Sequence, residues 1–185
     1  MNTLESLEAQ IKSCKDCPLH EGRIQAVPGF GNPNAKLVFI GEAPGRKEDE
    51  EGIPFIGQSG KLLDLLLSQI NMSRDDVWIG NIVKCRPPAN RDPNELEINT
   101  CKHYLTEQLQ ILNPKIIATL GRFSMNYFLP EMKISQVHGK PQKLKSSKGE
   151  FILYPLYHPA AGLRNGKMKL ALIEDFLKIP EILNN

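Results

Sequence analysis

Several features are missing from this chain of 185 residues, and each absence closes a possibility. No apolar run approaches the roughly 20 residues that cross a bilayer, so a soluble protein is expected. The opening stretch MNTLESLEAQIKS spaces Leu4, Leu7 and Ile11 as a helix does, and it lacks the charged start and apolar block of a secretory signal. The cytoplasm is the expected compartment. No internal repeat, low-complexity tract or long linker is present, so residues 1–185 read as a single domain. A Walker loop is missing too, because Gly41-Glu42-Ala43-Pro44-Gly45 has neither the required frame nor the Lys-Ser/Thr pair. Strong charge of either sign is also lacking. The formal net charge of +2 does not by itself imply a polyanionic partner. Its distribution is uneven, with Glu48, Asp49, Glu50 and Glu51 in one run and Lys140, Lys143, Lys145 and Lys148 in another. The lysine stretch fits a solvated hairpin or a nucleic-acid contact equally well.

Four cysteines stand out. Cys14 and Cys17 form a CKDCP run, and Cys85 and Cys101 follow with a wider spacing. Intracellular thiols stay reduced, so four paired-up cysteines in such a chain point to metal before disulfides. Only the first pair has the short CxxC form of a zinc site, and four-sulfur coordination suits zinc and iron–sulfur alike. Four unrelated buried thiols remain the plain alternative.

Hydrophobic periodicity alternates short β-rich runs with amphipathic helices, the pattern of a parallel sheet covered on both faces. The expected strands are Lys36 to Ile40, Val77 to Val83, Lys115 to Leu120 and Phe151 to Leu156. Ser59 precedes a helix carrying Leu62, Leu63, Leu66, Leu67 and Ile70. Asp92 and Pro93 read as the cap and first position of a helix reaching about Leu112, with Glu95 closing a capping box. A short helix after Gly121 and one from about Lys167 to Lys178 complete the set. The fold class is α/β, a three-layer α/β/α arrangement around a four-stranded parallel sheet.

Open α/β sheets bind ligands outside the carboxyl ends of their strands. Strand one runs into GEAPG, strand two delivers Asn81 and then KCRPPANR, and strand four ends in Tyr157-His158-Pro159-Ala160-Ala161. This topology brings Glu42, Asn81 and His158 to one pocket. Each also has an ordinary explanation: Gly41 and Gly45 as turn residues, Asn81 as a turn former, His158 as a satisfied histidine, Phe55 as a core aromatic.

Together these motifs resemble the family 4 uracil-DNA glycosylases, the iron–sulfur branch of the uracil-DNA glycosylase superfamily. The resemblance covers nearly the whole chain. It rests on CKDC, on GEAPG followed by Glu48-Asp49 and Gly52-Ile53-Pro54-Phe55-Ile56-Gly57, on NIVKCRPPANR, on Cys101 and on YHPA. It implies a four-stranded parallel sheet between helices and a [4Fe-4S] cluster on Cys14, Cys17, Cys85 and Cys101, tipping the metal to iron. It also implies base excision repair: uracil flipped from single- or double-stranded DNA and its N-glycosidic bond hydrolysed, leaving an abasic site.

On that reading Gly41, Glu42, Ala43, Phe55, Asn81 and His158 form the uracil pocket. Phe55 stacks on the base, and the Asn81 carboxamide matches a donor at N3 and an acceptor at O4. His158 and the amides near Glu42 and Ala43 face O2, where negative charge builds. Other branches place an Asp or Asn at the position of Ala43 to hold water, so Glu42 and Glu48 become the candidate carboxylates, Glu42 standing also near C5 against the thymine methyl. Arg86, Asn90, Arg91 and Arg164 are expected on DNA, with Leu163 as an apolar wedge or else a buried core leucine. Two departures from the usual pattern, Ser59 in the GxAG stretch and Gly162 before Leu163, touch only the DNA side. The cluster is expected to be architectural. A monomer is expected, with replication or repair proteins as further partners.

Two other classes compete. A related branch traps uracil-DNA covalently through a histidine in an inserted basic loop, but Cys85 to Cys101 holds neither histidine nor insertion. A zinc-stabilised nucleic-acid module without catalysis is the third.

Overall fold

The structure, a computed structural model, describes residues 3–184. Its helices are α1 (Leu4–Ser13), α2 (Leu19–Gly22), α3 (Arg46–Glu51), α4 (Gln58–Gln69), α5 (Glu95–Leu112), α6 (Arg122–Phe128), α7 (Ile134–Val137), α8 (Pro159–Arg164), α9 (Gly166–Leu177) and α10 (Ile179–Asn184). The strands are β1 (Phe30–Gly31), β2 (Leu37–Gly41), β3 (Trp78–Asn81), β4 (Ile116–Leu120), β5 (Gln142–Ser146) and β6 (Gly149–Leu156). They form one sheet in the order β1-β3-β2-β4-β6-β5.

The four central strands, β3, β2, β4 and β6, run parallel, as the apolar runs predict. The sheet is wider than expected by two antiparallel edge strands, β1 beside β3 and β5 beside β6. Residues alternate across it. Leu37 and Phe39 face α4, α9 and α10, where Leu63, Leu66, Leu67, Leu172 and Phe176 close the first core. Val38 and Ile40 face α5 and α6 with Leu105, Leu112, Phe123 and Phe128. A third apolar nest joins Leu7 and Ile11 of α1 to Tyr104 of α5 around the cysteines.

Several local expectations are corrected. Helix α4 starts at Gln58, so Ser59 lies inside its first turn and Gly57 is the cap. Helix α5 is capped by Asn94, whose Oδ1 accepts the Glu97 N–H at 2.9 Å while Glu97 Oε2 accepts the Asn94 N–H at 2.8 Å. The capping box is therefore Asn94 with Glu97, two residues past the expected Asp92 and Glu95. Glu97 wins because it also binds Arg91. The second strand is shorter than Val77 to Val83: its regular part is Trp78–Asn81, beyond which Ile82 and Val83 still donate to Gly41 O and Glu42 O at 3.0 and 3.1 Å.

The chain steps from β2 to β3 on one side and then to β4 on the other, so strand order reverses at β2. That switch point opens a crevice at the carboxyl ends of the strands. Among the described residues no helix is long and apolar enough to cross a membrane.

Candidate functional site: a cleft at the strand ends

The crevice is a cleft of about 570 Å³, within the range of small-molecule sites. Glu42, Ala43, Glu48, Phe55, Asn81 and His158 all line it. Gly41 lies beneath: a Cβ there would collide with Asn81 Oδ1 and the Phe55 ring, so these two side chains share the space a side chain would take.

Phe55 is held from three sides. Its φ of 55° is left-handed, an uncommon state for an aromatic residue that persists only where neighbours enforce it. Arg74 supplies one constraint, donating from Nη1 to Pro54 O at 2.9 Å and from Nη2 to Phe55 O, while its Nε pairs with Asp64 at 2.6 Å. Glu48 supplies the second, because its Oε1 accepts the N–H groups of Ile56 and Gly57 at 3.0 and 2.9 Å. Gly60 is the third, since any Cβ there would overlap the Phe55 carbonyl. The ring that results is buried and lies 5.7 Å from the His158 ring, tilted by 30°.

Asn81 is buried, and its Oδ1 accepts no hydrogen bond in the protein. A buried amide oxygen left so is costly unless a ligand satisfies it. Thr119 Oγ1 is the other buried side-chain atom of this kind among the described residues, and it does not line the cleft.

His158 presents a fixed tautomer. The Ala160 N–H donates to its Nδ1 at 3.0 Å, which places the ring proton on Nε2 and leaves Nε2–H as a donor. Burial, with help from Arg164, depresses its pKa to about 4, so the ring is neutral at working pH. Glu42 is pushed the other way, to about 7, by burial and by Asp92, with Arg122 opposing. The cleft therefore holds a neutral donor and a carboxylate that titrates near neutrality.

The residues proposed for DNA fall around the rim. Asn90, Arg91 and Arg164 line the cleft. Arg86 lies outside its lining and donates from Nε to Asn90 Oδ1 at 2.7 Å. Arg91 is already matched, paired twice with the buried Glu97 at 2.9 and 2.6 Å. Leu163 on α8 is 49% exposed, which removes the buried-core explanation for it.

All four cysteines are free thiols; Cys85 and Cys101 are buried, Cys14 and Cys17 half-buried. Among the described residues no three His, Cys, Asp or Glu side chains stand as a ready ligand set around one ion. The donor chemistry nevertheless fits a thiolate-bound metal. The four thiols share one apolar nest, Cys17 acts electrostatically on both Cys85 and Cys101, and Arg23 Nη1 donates to Cys85 Sγ at 2.8 Å. Burial raises the Cys17 and Cys85 thiols and takes Cys101 to about 11, so metal binding here must displace protons.

Sequence reasoning missed the site roles of Arg74, Gly60 and Arg122, and gave Asp92 only the role of a helix cap. Arg74 sits in a turn with no motif around it. Arg122 follows Gly121 at the end of β4 and pairs with Asp92 at 3.1 Å on the cleft rim; its place after a strand was the signal that could have found it. A second cavity of about 280 Å³, lined by Tyr127, Phe128 and Phe151, lies near the start of β4, at the opposite end of the sheet from the cleft.

The sequence profile of the Uracil DNA glycosylase superfamily matches residues 28–179. A type-4 uracil-DNA glycosylase of Sulfurisphaera tokodaii is 48% identical, the alignment covering 98% of this chain and 86% of that protein. One from Saccharolobus solfataricus is 45% identical over 100% of this chain and 88% of its own length. One from Archaeoglobus fulgidus is 41% identical, covering 98% and 94%.

Proposed function

The chain belongs to the uracil DNA glycosylase superfamily, and from that premise we infer how its cleft excises uracil from DNA and leaves an abasic site. The observation that carries the reading is the unpartnered Asn81 Oδ1, buried beside an enforced Phe55 ring and a neutral His158.

A base inside a duplex is unreachable, so uracil must be flipped into the cleft. Phe55 then stacks on it. Asn81 Oδ1 accepts from N3–H and its amide donates to O4; cytosine presents an acceptor at N3 and a donor at its amino group, leaving both halves of the carboxamide mismatched. As the glycosidic bond lengthens, charge builds on uracil O2. The Nε2–H of His158, its tautomer set by Ala160, donates there, with the amides of Glu42 and Ala43. Such a donor in a water-excluded site is worth about 3 kcal/mol. Glu42 in its ionised form orients the water that attacks C1′, where Ala43 has no side chain to do so. Glu48 spends one oxygen on the loop that carries Phe55, so its main contribution is positioning. Arg164 and Asn90 bind backbone, and Leu163 fills the gap left by the flipped base.

Cys14, Cys17, Cys85 and Cys101 would hold a [4Fe-4S] cluster. When bound, it supplies a covalent cross-link between the N-terminal segment and the Cys85–Cys101 region rather than redox turnover.

The test is alkaline cleavage of uracil- and thymine-containing oligonucleotides under single-turnover conditions. The uracil strand is cut and the thymine strand is not; Asn81→Ala and His158→Ala each reduce excision by about 100-fold or more. Full activity in both variants would remove this assignment of the cleft.

A further inference from the structure

Three arginines line the cleft among the described residues, Arg91, Arg122 and Arg164, and they differ in how firmly each is already held. Arg91 is committed, because both of its side-chain bonds to a carboxylate go to Glu97, which is only 2% exposed. Arg164 enters no ion pair among the described residues. Arg122 stands between these cases: its Nη2 meets Asp92 Oδ2 at 3.1 Å, and the two side chains are 65% and 59% exposed. Its guanidinium also lies over the Phe123 ring, 4.6 Å from the centroid, which holds it at the rim. Asp92 lies on the segment after β3 and Arg122 follows β4, while β2, which delivers Glu42, lies between those two strands. The contact therefore bridges the two sides of the switch-point crevice. An ion pair between side chains so exposed gains little over water. A phosphodiester offers the same guanidinium a pair of charged oxygens, and binding it also releases a counterion from DNA, a gain that a carboxylate of the protein cannot match.

We propose that Arg122 is a backbone-phosphate contact of the cleft and that Asp92 is its placeholder in the free protein, occupying the guanidinium until a DNA phosphate displaces it. The inference rests on the uracil-DNA reading above. On binding, phosphate oxygens replace Asp92 Oδ2 at Arg122 Nη2 and the carboxylate turns to solvent; no covalent bond changes. Arg122 fixes the strand and carries no base information. Asp92 lowers affinity, since its bond to Arg122 must open before the phosphate can enter.

The experiment measures equilibrium binding to a duplex carrying 2′-fluoro-2′-deoxyuridine, whose glycosidic bond resists hydrolysis, over a series of salt concentrations. Single-turnover excision of ordinary uracil is recorded in parallel. The proteins are the wild type, Arg122→Ala, Arg122→Lys, Asp92→Asn and the double variant Arg122→Ala with Asp92→Asn. Both side chains are more than half exposed, so each variant keeps the fold. Arg122→Ala weakens binding about tenfold at low salt and makes the dependence of log K on log salt shallower by about one, the loss of a single phosphate contact. Arg122→Lys restores that slope. Asp92→Asn tightens binding about threefold when Arg122 is present and gives no gain when it is absent. Plain repulsion between Asp92 and DNA would give the same gain in both backgrounds, and a merely structural bridge would make Asp92→Asn weaken binding. An unchanged salt slope in Arg122→Ala overturns the phosphate contact. A gain from Asp92→Asn that is missing, or equal in both backgrounds, overturns the placeholder. A wild type that excises no uracil overturns the reading on which this inference rests, whereas an excising wild type with indifferent variants overturns this inference alone.

Discussion

Glu42 and His158 line the same cleft with their pKa values displaced in opposite directions. Burial and Asp92 raise Glu42 to about 7, while burial and Arg164 lower His158 to about 4. An acid limb in kcat/KM above pH 5 therefore belongs to Glu42. On single-stranded uracil substrate the rate should rise with pH around a midpoint near 7, and Glu42→Gln should flatten that limb as well as slow the reaction. Stability carries the same signature with opposing signs. Glu42, raised from 4.5, contributes stability that is present below 4.5 and lost as pH rises through about 7. His158, lowered from 6.5, contributes stability that is present above 6.5 and lost as pH falls through about 4. The two oppose each other across mildly acidic pH, so urea unfolding of Glu42→Gln should show stability rising with pH between about 4 and 6.5 more steeply than in the parent. These residues were visible in the sequence because polar side chains at the ends of apolar strands are conspicuous. Arg74 was not, because nothing around a turn arginine announces that it will hold the carbonyl of Phe55, 19 residues earlier in the chain.

At the scale of elements, the start of α4 matters more than its length. The turn from Pro54 to Gly57 is clamped by Arg74, Glu48 and the bare face of Gly60: Arg74 and Gly60 meet the Phe55 carbonyl, and Glu48 holds the N–H groups of Ile56 and Gly57 that follow it. Gly60→Ala should displace the ring and cut single-turnover excision on the order of 100-fold, the usual penalty for misplacing a reacting partner by about 1 Å. Circular dichroism should show the helices intact. Helix α8 gives a different result, since Leu163 stands exposed beside the cleft. Leu163→Ala should slow excision from duplex DNA about tenfold and leave single-stranded substrate nearly unaffected, because only a duplex has a stack to refill. Excision assays on matched single- and double-stranded oligonucleotides separate the two. The four parallel strands were legible from their apolar runs. The edge strands were not: β1 has two residues, and β5 sets Leu144 among the exposed Lys143 and Lys145, a pattern that suits a solvated edge as well as a loop. The cap of α5 was misplaced because several acidic and amide candidates crowd its start, and the choice fell to Glu97 through its partner Arg91, six residues earlier.

For the whole molecule, the sheet and the cysteine nest are separate sources of order. The two main cores pack helices on the sheet without the cysteines, whereas α1 buries Leu7 and Ile11 in the nest that contains them and sets only Leu4 against the second core. Stripping the proposed cluster by chelation, or breaking its ligand set with Cys17→Ser, should therefore loosen α1 and the segment between Cys85 and Asn94 while the sheet survives. Limited proteolysis should cut in those two regions, with most of the far-ultraviolet dichroism retained, and duplex affinity should fall because Asn90, proposed to bind backbone, lies in the loosened stretch. The gathering of four cysteines was within reach of sequence, since the CKDCP run and the two later cysteines are conspicuous; the burial of Lys84 beside Cys85 was not, since nothing in KCRPPANR announces it.

The order in which the parts appear along the chain gives the cysteine nest a temporal meaning. All four thiols lie within the first 101 residues, whereas His158 and Leu163 come near the end. A ribosome that has released the chain only through α5 has exposed every proposed ligand of the centre and Asn81, but neither β6 nor the histidine that follows it. Because domains form as synthesis proceeds, the proposed cluster could be assembled on a nascent chain that still lacks His158. Maturation of the centre would then precede the competence to damage DNA.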